Sequence, residues 1–225
     1  MKTKNKALLL SLCAVLLVAA TIFGTLAYLT DTEAVTNTFA VGSVGLSLDE
    51  AKVDKMGNKD GENRWKPTTD DPEQEYYLLP GHTYTKDPTV TVDTGSEEAY
   101  IRMMVTVSFE NALTDETLAT SLDGIFTGYD ASKWDRHEKT VSADGKSIEY
   151  EYRYHTTVDG KNDAGENEAE KLEPLFTGFT VPGEYDNEQI ALLDGMKINV
   201  VAHAIQATGF DNADAAWAAF EAQHS

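Results

Sequence analysis

Ten residues in the middle of the chain, Tyr100 to Phe109, alternate strictly between two kinds of side chain. Ile101, Met103, Val105, Val107 and Phe109 fall on one side; Tyr100, Arg102, Met104, Thr106 and Ser108 fall on the other. A repeat of two is the spacing of a strand with one face buried, and no helix gathers those positions onto one face. The same repeat recurs over Ser147 to Thr156, with Ile148, Tyr150, Tyr152 and Tyr154 set against Glu149, Glu151, Arg153 and His155. Asp144-Gly145 just before it is a hairpin signal. The tyrosines read as core, with the charged positions as the wet face. The other reading is an exposed aromatic platform for a carbohydrate or another subunit.

The remaining chain is punctuated in the same style. Thr38 to Leu48 reads as a strand, with Gly42 and Gly45 weakening it or marking a bulge. Ala51 to Pro72 is polar and carries Gly57, Gly61, Pro67 and Pro72, which predicts a loop. Pro80-Gly81 sits in turn positions. Pro88 to Val92 predicts a short strand ending in the turn Asp93-Thr94-Gly95. Thr114 to Leu122 predicts a short helix capped at Thr114 or Asp115. Asp159 to Glu173 predicts a solvated acidic loop, and Leu175 to Val181 and Met196 to Gln206 further strands. Asp211 to Gln223 predicts a terminal helix capped near Asp211 or Asn212, with Trp217 pinning it to the sheet. Trp65, between Arg64 and Lys66, is the expected exposed aromatic. Short strands, frequent turns and few helices predict a mainly β fold, a jelly-roll-like antiparallel β-sandwich with short helices, one of them C-terminal.

The amino terminus sets the expected compartment. Lys2, Lys4 and Lys6 precede an almost wholly apolar run from Ala7 to Ala20, and no acidic residue occurs before Asp31. Small residues at Thr25 and Ala27 suit the −3 and −1 positions of a cut. This is the pattern of a secretory signal peptide, residues 1–28, leaving one domain over 29–225. A retained anchor is the alternative, because Ala7 to Phe23 approaches the about 20 apolar residues of a spanning helix. Gly24, Thr25 and Ala27 favour cleavage, and no cationic stop-transfer cluster follows. A lipoprotein cut at Cys13 is disfavoured by Leu12 before it.

Charge narrows the partners. The formal net charge is −20, and loss of three lysines with the signal takes it to −23. Nucleic acid needs a positive footprint and is excluded as a partner; anionic lipid is equally disfavoured. Cys13, the chain's one cysteine, leaves with the signal, so core burial alone must hold the domain.

Three segments carry a family resemblance. The first is GTLAY followed by TDTEAVTNTFAVGSVGLSL, which places Gly24, Thr25, Ala27, Tyr28, Leu29 and Asp31, then Asn37, Phe39, Gly42, Val44 and Leu46. The second is LLPGHTYTKDPTVTVDTGSEEAYIRMMVTV, and the third KINVVAHAIQATGFDNADAAW. Taken in order, they resemble the TasA/camelysin family, exported proteins of Gram-positive bacteria whose signals are cut by a SipW-type signal peptidase. Leu29 stands where Phe is commoner, Gly45 where Asp is frequent, and Ala51 to Gln74 has no counterpart. The resemblance implies a jelly-roll domain that assembles into fibres of an extracellular biofilm matrix. It also implies that a subunit's N-terminal segment, residues 29–48, adds as a strand to its neighbour through Asn37, Phe39, Val41, Val44, Leu46 and Leu48. Cleavage falls after Ala27 by the small-residue rule and after Tyr28 by the family pattern. The residues alone leave open a segment that folds back as the first strand of its own domain.

Catalytic chemistry finds little footing. Some relatives bear a metalloprotease name, but His82, His137, His155, His203 and His224 include no His-Glu-x-x-His spacing; Val141 stands where the second histidine after His137 would be. No Gly-x-Ser-x-Gly elbow occurs. Structural calcium is a minor expectation at Asn58, Asp60 and Glu62, or at Asp159, Asp163 and Glu166, although Met56 and Pro67 break the helix-loop-helix calcium pattern. No other cofactor is expected. The expectation is therefore a secreted structural protein, not an enzyme, partnered by itself and by an anchoring or minor fibre subunit. The alternatives are a secreted camelysin-type metalloendopeptidase and a monomeric surface-adhesion module with a ligand face around Trp65. No C-terminal apolar anchor is seen, so retention at the cell would depend on assembly or a partner protein.

Overall fold

The structure, a computed structural model, describes residues 30–33, 44–66, 68, 74–110, 112, 122–162 and 164–224. The expected signal peptide, the cleavage residues Thr25, Ala27, Tyr28 and Leu29, the assembly positions Asn37, Phe39 and Val41, and Thr114 to Ser121 of the expected helix lie outside the described residues.

Two antiparallel layers enclose the core. The first is a five-stranded sheet in the order β1-β12-β6-β9-β8, built from Thr30–Glu33, Lys197–Gln206, Ala99–Ser108, Ser147–Tyr154 and Trp134–Val141. Its centre, β6, is the alternating segment from the middle of the chain. Ile101, Met103, Val105 and Val107 are at most 2 % exposed and face inward. Tyr152, Tyr150 and Ile148 of β9 lie opposite Met103, Val105 and Val107, and Ala202 and Val200 of β12 flank them on the other side. The tyrosine ladder is thus core, with Tyr150 and Tyr152 buried. Its alternate face is wet only in part, because Glu151 is buried beneath the C-terminal helix.

The second layer contains β10-β5-β2-β3, which are Glu170–Lys171, Thr89–Val92, Leu46–Val53 and Lys59–Trp65, and β4-β11-β7, which are Thr83–Thr85, Gly178–Thr180 and Phe126–Thr127. Residues 83–92 and 170–180 run antiparallel throughout. Leu172 N donates to Val90 O (2.9 Å), Leu175 N to Pro88 O (3.0 Å) and Lys86 N to Thr177 O (3.3 Å). Pro88 has no N–H and falls in the interruption between β4 and β5. Where the chain crosses between layers, Gly160 packs on the Asp93–Ser96 turn. A Cβ there would lie 2.1 Å from Asp93 O, so no larger residue fits without moving that turn.

One expectation is corrected. The segment from Ala51 to Trp65, expected as loop, contains strand: β2 continues through Val53 and β3 returns from Lys59 to Trp65. Polar composition and glycines gave the appearance of a loop because β3 is almost wholly exposed and carries no apolar alternation. Similarly, β8 escaped the sequence pattern because every residue after Trp134 is exposed. The strand expected over Leu175 to Val181 is regular only at Gly178–Thr180, while Leu175 and Phe176 are fully buried without strand geometry.

Two helices complete the described residues. The first, α1, Asn187–Leu192, opens with a capping box: the Asp186 carboxylate accepts from the N–H of Glu188 and Gln189, and the Gln189 side chain accepts from Asp186 N. The second, α2, Ala213–His224, is the expected terminal helix, capped by Asn212, whose Oδ1 accepts from Ala215 N at 3.0 Å. It lies on the outer face of the first sheet, where Trp217 and Phe220 pack on Ile205 and Tyr100. Arg102 is held between those rings, 4.5 Å from Trp217 and 4.8 Å from Phe220, and also meets Glu221 at 2.5 Å.

Candidate functional site

The edge of the first sheet beside the amino terminus is the feature that bears on assembly. Strand β1 pairs antiparallel with β12 in the register Thr30 to Ile205, Asp31 to Ala204, Thr32 to His203 and Glu33 to Ala202. Only one side of β12 is needed for β6, which pairs with all ten of its residues. The other side therefore presents main-chain N–H and C=O groups, and β1 meets those of Ala202 to Ile205. Four residues at a sheet edge form a short ladder. The same bonds can be made with any extended segment of suitable register.

The remaining assembly positions sit elsewhere. Val44 leads into β2, and Leu46 and Leu48 pair with Val92 and Val90 of β5. Both leucines are at most 6 % exposed, and β2 is flanked by β3 and β5. Strand β2 is thus an interior strand of this chain's own second layer.

The second layer carries a cluster of paired charges. Lys86 Nζ lies 2.8 Å from both oxygens of Glu50, with both side chains more than nine-tenths buried. Arg64 bridges Asp49 (2.6 Å) and Asp87 (2.8 Å), and the Asp87 carboxylate accepts from Ala51 N. Burial, aided by the Glu50 and Asp87 carboxylates, pushes the Tyr76 phenol well above its ordinary range, so it remains a donor, to Thr85 O at 3.2 Å.

The histidines have separate duties. His203 Nδ1 accepts from Arg102 Nε at 3.1 Å, and its ring packs on Phe220. His82 Nε2 lies 2.9 Å from Met56 O, with its ring against Tyr84. Among the described residues, no three His, Cys, Asp or Glu side chains are gathered to hold a metal ion. Of the calcium candidates, Asn58 is turned onto Asp54, Asp60 and Glu62 project from β3, and Asp163 is outside the described residues. Asp159 accepts from Lys161 N. Trp65 is half-buried rather than exposed. The strongly exposed aromatic is Tyr77, at 64 %.

Two features lay beyond the sequence reading. The Asp186-x-x-Gln189 box was visible in principle as an N-terminal capping signature. The Arg102 and Lys86 clusters were not, because their partners are at least 36 residues away in the chain. No family model, curated protein or solved structure matches this chain.

Proposed function

We propose that this chain is a secreted structural protein that polymerises by exchanging its N-terminal strand between subunits, as a fibre-forming or fibre-associated component of an extracellular matrix. The observation that carries the reading is the β1–β12 pairing. The strand nearest the expected cleavage point is a four-residue edge strand. Exchange replaces each intramolecular main-chain bond by an identical one in the neighbour, as in domain swapping. Removal of the signal by a SipW-type peptidase would free the chain end directly before that strand. The resemblance over Gly24 to Leu46 supports the same assignment.

The test is electron microscopy of three forms: the protein beginning at Leu29, the same protein with a short extension ahead of Leu29, and one beginning at Val44. The first should form fibres. The second should form few, and the third should be a folded monomer, since β2 is intact. Fibres from the form beginning at Val44, or monomers from the form beginning at Leu29 at every concentration and pH, would refute the proposal.

A further inference from the structure

A cleft of about 920 Å³ opens between the two layers. One wall is formed by β2, Lys86 and the 74–78 segment, the other by α1 and the start of β12. Its volume lies at the upper end of the roughly 300–1,000 Å³ typical of small-molecule sites. Aromatic rings line it: Trp65 half-buried, Tyr76 within, and Tyr77 projecting at the rim.

The charged lining is Asp49, Glu50, Glu75 and Asp194 against Lys86 and Lys197, and three of these carboxylates hold a cation partner. Glu50 is neutralised by Lys86, Asp49 by Arg64 and Glu75 by Lys55, while Asp194 and Lys197 contribute one charge of each sign. With three of its four carboxylates already paired, the cleft offers little free charge to attract an anion or a cation. Its buried pair still has hydrogen-bonding capacity. Lys86 Nζ carries three N–H groups, two of them directed at Glu50, and each carboxylate oxygen has a lone pair beyond the one Lys86 takes. A donor and an acceptor side by side match a hydroxyl, which accepts from one and donates to the other. Aromatic faces beside paired donors and acceptors suit a ring with apolar C–H faces and equatorial hydroxyls.

We infer that this cleft binds a neutral oligosaccharide, with Tyr77 and Trp65 stacking on sugar rings and the Lys86–Glu50 pair holding a hydroxyl. The inference goes beyond the assembly reading and does not depend on it.

Tryptophan emission provides the readout, because Trp134 and Trp217 are at most 2 % exposed and Trp65 lies in the cleft. Cellohexaose, chitohexaose and maltohexaose are titrated into the full mature protein, with calorimetry in parallel. At least one should give a saturable shift with a Kd below about 1 mM. Tyr77→Ala should weaken that binding at least tenfold at an unchanged melting temperature, since Tyr77 is exposed. Lys86→Met with Glu50→Gln should weaken it while leaving the net charge of the cleft unchanged. No saturable response to any of the three sugars overturns the inference. So does a response unaltered by Tyr77→Ala, or tighter binding of laurate or polygalacturonate than of the neutral sugars.

Discussion

Lys86→Met tests the energetic role of the buried pair. The lysine stem and the methionine side chain have similar lengths, so packing is nearly preserved and only the ammonium is lost. Glu50 then keeps a carboxylate that is 6 % exposed with no cation at 2.8 Å. Removing one partner of a buried pair typically costs about 3–5 kcal/mol, mostly the desolvation of the orphaned charge. The exposed pair Lys55–Glu75, with both side chains more than 70 % accessible, should contribute little by contrast. At about 2–4 °C per kcal/mol for a chain of this length, Lys86→Met should lower the melting temperature by about 10 °C. Urea unfolding monitored by tryptophan emission gives the free energy directly. The double variant Lys86→Met with Glu50→Gln should recover most of the loss, since no buried charge remains. A single variant within about 1 kcal/mol of the parent, or a double variant no better than the single one, would show that Glu50 finds other solvation and that the pair is not a stability element.

Two further outcomes follow from the turns and the terminal helix. The Ser142 hydroxyl and the Lys146 N–H both donate to Asp144, which holds its carboxylate below the ordinary 3.8. A depressed folded pKa contributes stability above about pH 4 that is lost as pH falls through the folded value. Melting temperature measured from pH 6 to 2.5 should therefore fall less steeply below pH 4 in Asp144→Asn than in the parent, and parallel curves would contradict this. Trp217→Ala should cost about 3–5 kcal/mol and lower helical circular dichroism, whereas Trp217→Phe should be nearly neutral because the indole N–H has no hydrogen-bond partner among the described residues. Equal losses in the two variants would refute that account.

How much of this was legible in the sequence depended on whether burial and apolarity coincided. In β6 and β9 they do, and the faces assigned to Ile101 through Val107 and to Tyr150 and Tyr152 are the buried ones. Trp217 and Phe220 revealed the terminal helix for the same reason. In β2 they part company: the inward positions include Glu50, whose burial is possible only because Lys86, 36 residues later, reaches it. Strand β8 has no inward face after Trp134, so no alternation exists to be read. Arg102 fell on the face expected to be wet, but α2 covers it from more than 100 residues away. Local pattern encodes the sheet faces. Tertiary partners decide which charged residues go inside, and nothing within a ten-residue window announces them.

The two edges of the first sheet are managed differently, and this is the step that connects fold to assembly. On one edge β8 exposes Asp135, Arg136, Glu138 and Lys139, and its register shifts between Arg136 and Glu138. Charges and a bulge on an edge strand oppose pairing with another chain. The other edge is covered by β1 alone, through four residues of ladder. The sheet beneath that cover is held by its own ladders: β6 pairs with all ten residues of β12 and with seven of β9. Displacing β1 would leave those ladders in place and expose main-chain groups of β12, which a neighbour's β1 can pair again in the same register. Because bonds broken and bonds formed are the same, exchange is nearly neutral locally. Its direction is then set by subunit concentration and by whatever the segment before Val44 gains on the neighbour. If the expected signal is present, a segment still tied to the membrane by it could not make that gain, and on the proposed reading cleavage is the control point. Monomer should therefore persist below a critical concentration after processing and give way to polymer above it, a threshold that light scattering across a dilution series would locate. A polymer fraction independent of dilution would contradict exchange as the driving step.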